Sequence, residues 1–123
     1  MADIDTARGI SDEVVDAAFE SLVREVDRRT NIAKLALHGK SDQAIRASFD
    51  DLCRVIRAAR MEFTTVLKYY GHDYDAKAQD FVESVIYAAS LAHETNYQEV
   101  KDSIARHAEF VQNALSMMRN ADQ

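Results

Sequence analysis

"SDQAIRASFDDLCRVIRAARMEFTTVLKYYG", residues 41–71, decides the fold. Its apolar residues recur at Ile45, Phe49, Leu52, Ile56, Ala59, Phe63, Val66 and Tyr70, in steps of four and three. A mean step of 3.5 residues returns to the same side of an α-helix, so these side chains form one seam for packing against other helices. A half-buried strand needs a period of two, which the seam lacks. Ser41 stands where an N-cap belongs, with a hydroxyl that can accept from an amide one turn on. Gly71 follows the last seam residue and reads as the left-handed C′ position.

The same pattern extends upstream. Ser11 predicts an N-cap, and Asp12 and Glu13 suit the positive end of the helix dipole. Val15, Phe19, Leu22, Val26, Ala33 and Leu37 make a stripe, with Thr30 filling the place between Val26 and Ala33. This helix is expected to stop near His38, with Gly39 at C′. Residues 1–10 read as a flexible polar N-terminal arm, which leaves 11–121 as a single helical-bundle domain.

Downstream, Asp73 or Asp75 is expected to cap a third helix with the stripe Ala78, Val82, Val85, Ala89 and Ala92, flanked by Phe81 and Ile86. Small residues there let a neighbour approach closely. The last stripe is Tyr97, Val100, Ile104, His107, Val111, Leu115 and Met118, one residue out of phase with the third. The phase change puts a break at about Thr95, with Thr95–Gln98 or Asn96–Glu99 as a capping box. No Gly or Pro enforces it, so one long helix with a stutter is the alternative. Acid-before-base pairs at i, i+4 (Glu20–Arg24, Glu25–Arg29, Asp50–Arg54, Asp102–Arg106) support the exposed faces.

The expected fold is all-α: an antiparallel four-helix bundle with two long N-terminal helices and two shorter C-terminal helices. Long seams beside shorter partners would expose apolar surface, so a homo-oligomer is expected. Composition agrees with the class. The 123 residues include no proline and three glycines, too few turn formers for an all-β chain. A net charge of −6 argues against general nucleic-acid binding. No apolar run approaches a membrane span, and the N-terminus has no secretory h-region. Cys53 is alone, which excludes an intrachain disulfide or a cysteine metal cluster. The expected setting is soluble and cytoplasmic.

Few patterns carry chemistry. No Glu-x-x-His, His-x-x-x-His or His-Glu-x-x-His occurs, so neither a metal nor a cofactor is expected. "HGKS", residues 38–41, ends like a phosphate loop but lacks the earlier glycine and follows a helix. "LAHETN", residues 91–96, resembles the H-box of sensor histidine kinases. The resemblance implies a phosphoacceptor at His93, oriented by Glu94. No glycine-rich nucleotide lid accompanies it, so what it implies is a receiver, as in the helical histidine phosphotransfer domains. Those domains carry Lys and Gly after the histidine, where this chain has Glu94 and Thr95.

His107 occupies a seam position. A buried imidazole there needs a hydrogen-bond partner, for which Thr30, Tyr70 and Tyr87 are candidates, or it contacts a small ligand inside the bundle. Arg46, Arg54, Arg57, Arg60 and Lys68 fall within an arc of about 120° away from the helix-two seam, at ~100° per residue, with Asp50 among them. Such a stripe can dock an acidic partner or another copy of this acidic chain. Tyr69, Tyr70 and Tyr74 cluster at the turn after helix two, and Tyr69 and Tyr74 are expected to extend the contact surface. No catalytic constellation is present. The expected function is therefore a non-enzymatic interaction or regulatory module that docks through helix faces. A histidine phosphotransfer protein and a small-ligand-binding bundle are the alternatives.

Overall fold

Ser11 and Ser41 each open a helix. The Ser11 hydroxyl accepts from the Val14 amide at 3.4 Å and the Ser41 hydroxyl from Ala44 at 3.2 Å. The chain is described here by a computed structural model over residues 11–39 and 41–121; the arm expected at 1–10 lies outside the described residues. The helices are α1 (Asp12–Leu37), α2 (Asp42–Val66), α3 (Asp75–Ala92) and α4 (Gln98–Ala121). Among the described residues there is no strand, so the fold is all-α.

Every stripe read from the sequence turns inward. Phe49, Leu52, Ile56, Ala59 and Phe63 of α2 are buried, as are Val15, Phe19, Leu22, Val26 and Ala33 of α1. α3 contributes Ala78, Phe81, Val82, Val85 and Ala88, and α4 contributes Val100, Ile104, Val111 and Leu115. Together they form one contiguous core. Thr30 is accommodated by donating to the Val26 carbonyl at 2.8 Å, inside its own helix.

Three expectations need correction. First, the C-terminal helices are not both short. α4 has 24 residues against 25 for α2, and only α3, with 18, is short. The α4 stripe meets no helix breaker before Met118. The long seams are consequently covered within one chain, and the geometric reason for pairing chains falls away. Second, α2 stops at Val66, and 3₁₀ turns at Leu67–Tyr69 and His72–Tyr74 carry the chain to α3. Neither Gly71, with φ of −145°, nor Gly39 is left-handed, so neither acts as a C′ glycine. Third, α3 is not capped by an aspartate. Tyr74 occupies the cap position without a side-chain cap bond, and Asp75 lies in the first turn.

The stutter alternative is resolved by a real break. Thr95, buried in the turn, donates to the Ala92 carbonyl at 2.8 Å and accepts from the Tyr97 amide at 3.3 Å. Neither expected capping box is seen: α4 begins at Gln98, which puts Tyr97 rather than Thr95 or Asn96 at the cap position, and the Gln98 side chain donates forward to Asp102 at 2.9 Å.

Helix directions follow from side-chain pairs. Arg29 of α1 meets Asp51 of α2 at 2.8 Å, while Leu22 and Glu25 lie across from Val55 and Ala59, so α1 and α2 run in opposite senses. Asp75 at the start of α3 meets Arg119 near the end of α4. By contrast, Asp12 and Glu20 of α1 bond to Tyr74 and Lys77 at the start of α3. Asp42, Arg46 and Arg60 of α2 likewise meet Tyr97, which immediately precedes α4, and Glu99 and Phe110 of α4. α1/α3 and α2/α4 therefore run in the same sense. Antiparallel contacts all round are not what these pairs describe. In cross-section the order is α1, α2, α4, α3, and the α2/α4 side lies opposite the α1/α3 side.

Candidate functional site

The basic stripe of α2 divides once its neighbours are in place. Arg46 is occupied: it pairs with Glu99 of α4 and, at 3.3 Å, with Asp50, and its guanidinium lies 4.9 Å from the centre of the Tyr97 ring. Its proton is held more tightly than usual, chiefly by Glu99. Arg54 is largely exposed and only touches Asp51, at 4.0 Å. Arg57 and Lys68 are exposed. Arg60 turns toward α4 and covers the Phe110 ring at 4.3 Å, with its Nε buried and without an acceptor.

α4 completes this surface. Arg106, Glu109, Phe110 and Asn113 line an open groove with Arg60, about 350 Å³ in volume. Met61 of α2 and Met117 of α4 are exposed. Arg60 and Arg106 share this groove, and Arg57 stands one helical turn before Arg60 on α2. None of the three arginines has an ion-pair partner among the described residues. Glu109 is the acid in the groove.

His107 is 9% exposed, and its Nδ1 is buried without a hydrogen-bond partner. The partners expected for it are engaged elsewhere or at the surface: Thr30 on Val26, Tyr70 on Asp75, and Tyr87 exposed. Burial, then the charges of Arg60, Arg106 and Arg57, push its pKa below the usual imidazole value. Between that lowered value and ~6.5, the unfolded chain binds a proton that the folded chain does not, so stability falls as pH drops through this window. His107→Leu removes both the linkage and the unpaired nitrogen. It is expected to be neutral or to stabilise by up to about 1 kcal/mol at about pH 8, with a larger gain at about pH 5.5. Urea unfolding at the two pH values checks this; an unchanged pH slope would count against it.

The tyrosines expected at the surface serve largely inside. Tyr74 is buried, its ring 6.3 Å from that of Phe19, and its hydroxyl donates to Asp12. Tyr69 is half-buried against the core. Tyr70 donates to Asp75, which also holds Arg119 through two bonds of 2.6 and 2.9 Å. Arg119 first, then Tyr70, keep the Asp75 carboxyl below its ordinary pKa, while burial and then Asp75 raise that of Tyr70. This network ties α3 to α4.

His93 is exposed and forms the C-cap of α3, so the H-box-like segment straddles a helix end and a turn. Cys53 is half-buried; desolvation raises its pKa, which leaves it a protonated, weakly nucleophilic thiol. Among the described residues, no three of His, Cys, Asp and Glu come together as metal ligands. No helix described is long and apolar enough to cross a membrane. No protein-family model, curated protein or solved structure matches this chain.

Arg106, Phe110 and Met61 were not legible as site residues from the sequence. Arg106, Phe110, Asn113 and Met117 do recur at helical spacing off the α4 seam, and that outer stripe was the available signal. What it lacked was the knowledge that α2 lies beside α4.

Proposed function

We propose that this chain is a non-enzymatic docking module whose α2/α4 face receives an acidic, partly apolar protein surface. The observation that carries the reading is the groove that Arg60 and Arg106 line, with Arg57 one helical turn away on α2, none of the three having an ion-pair partner among the described residues. Like charges held together repel, and an arriving carboxylate relieves that repulsion with charge-assisted, bidentate hydrogen bonds. Phe110, Met61 and Met117 supply exposed apolar area beside the charges. Aromatic, Met and Arg side chains are the types enriched at interface centres. Arg46 supports the fold of this face rather than the contact itself, and Tyr69 and Tyr74 pack into the core, Tyr74 on the α1/α3 side. The acidic balance and lone cysteine support a cytoplasmic setting.

The test is fluorescence anisotropy with a labelled synthetic peptide of alternating Glu and Leu. Wild type is expected to bind it, with affinity falling steeply as salt rises. Arg57→Ala/Arg106→Ala is expected to weaken binding at least about tenfold, equivalent to ~1.4 kcal/mol. Equal affinity in wild type and the double variant would remove the α2/α4 face from the reading.

A further inference from the structure

The side of the bundle opposite the arginines has the complementary character. The α1/α3 groove is lined by Asp27, Asp80 and Glu83, together with Val23, Ser84 and Tyr87. One turn along, Lys77 stands among Glu20, Asp16 and Asp80, and Arg24 lines the same stretch, so acids outnumber bases there. Lys77 pairs with Glu20 at 2.5 Å, which leaves Asp27, Asp80 and Glu83 without ion-pair partners among the described residues. Tyr87 is exposed, and Val23 forms part of the groove floor beside it. One side of the molecule thus presents bases without ion-pair partners beside the part-exposed Phe110. The other presents an excess of acids along a groove that Val23 and Tyr87 also line, with Arg24 and Lys77 as the bases at one end.

We infer that the occupant of the α2/α4 face is the α1/α3 face of a second copy of this chain. The inference rests on the docking reading above and names its partner. Contact is front to back, not face to face: meeting the same face twice would set arginine against arginine. Such a heterologous contact leaves one basic and one acidic face open at the ends, so further copies add until a ring closes or a linear chain grows. Salt screens the attraction, and the assembly is expected to come apart at high ionic strength.

Sedimentation velocity on the full chain tests this at low salt and at about 0.5 M salt. Wild type is expected to form species larger than a dimer as concentration rises at low salt, and to be a monomer at high salt. Arg57→Ala/Arg106→Ala disables one face and Asp80→Ala/Glu83→Ala the other. These side chains are at the surface or partly so, and circular dichroism checks that both variants fold. Each alone is expected to be monomeric. Mixed in equal amounts they are expected to give a dimer and nothing larger, because each retains the face the other lacks. A wild type that stays monomeric throughout, or a dimer that survives in both variants, overturns front-to-back assembly. The Glu-Leu peptide separates the two readings. If wild type is monomeric but Asp80→Ala/Glu83→Ala binds the peptide through Arg57 and Arg106, docking stands and the second copy is not its partner.

Discussion

Phe63→Ala is expected to destabilise the bundle by about 3–5 kcal/mol, a large share of the ~5–15 kcal/mol typical of a whole domain. Phe63 is fully buried on α2. Its ring meets Phe19 of α1 edge to face at 5.9 Å and stacks on Phe81 of α3 at 4.5 Å. Because α2 and α3 are diagonal in the cross-section, the Phe63–Phe81 stack spans the interior. Alanine would remove the ring from three helices together and leave a void that two aromatic neighbours cannot fill by a rotamer change. Phe63→Leu keeps part of the volume and is expected to lose less than half as much. Urea unfolding followed by circular dichroism measures both. A loss under ~1 kcal/mol for the alanine variant would show that the helices close over the gap, and that the stack contributes little.

Ala88→Leu is expected to cost about 1–3 kcal/mol by the opposite route. Ala78, Ala88 and Ala92 are fully buried on α3, the shortest helix and the one wedged between α1 and α4. Methyl side chains allow that close fit, and a leucine would force the neighbours apart or adopt a poor rotamer. Tyr87→Leu on the same helix changes an exposed side chain and serves as the control, expected within about ±0.5 kcal/mol. Equal unfolding midpoints for the two variants would mean that α3 has room to spare.

The reading of faces from sequence succeeded where one helix decides the matter alone. Periodicity specified the buried side of each helix, and the local chemistry of Ser11 and Ser41 specified two starts. It failed where two helices decide together. The seam of α2 runs on to Tyr70, yet the chain leaves the α-helix after Val66, and Tyr70 bonds to Asp75 across the turn. Nothing within residues 41–71 announces that bond. The same limit governs the candidate site. The arginines of α2 looked equivalent in sequence; Glu99 then claimed Arg46, and Phe110 positioned Arg60. A stripe says which side of a helix is covered, but not which helix covers it. The parallel pairing of α2 with α4 was therefore not legible, and neither was the cluster it creates.

The placement of the connections also bears on how the chain folds. α1 with α2, and α3 with α4, are each joined across one short turn, and contacts close in sequence form early because little loop entropy opposes them. Two hairpins are thus expected first, and their docking second. Phe19 and Phe63 belong to the first hairpin and Phe81 to the second, so the aromatic column is completed only when the halves meet. The rate-limiting event is expected to be that meeting rather than helix formation. Truncating Phe81 would then slow folding, whereas an unchanged folding rate with faster unfolding would put the column after the barrier.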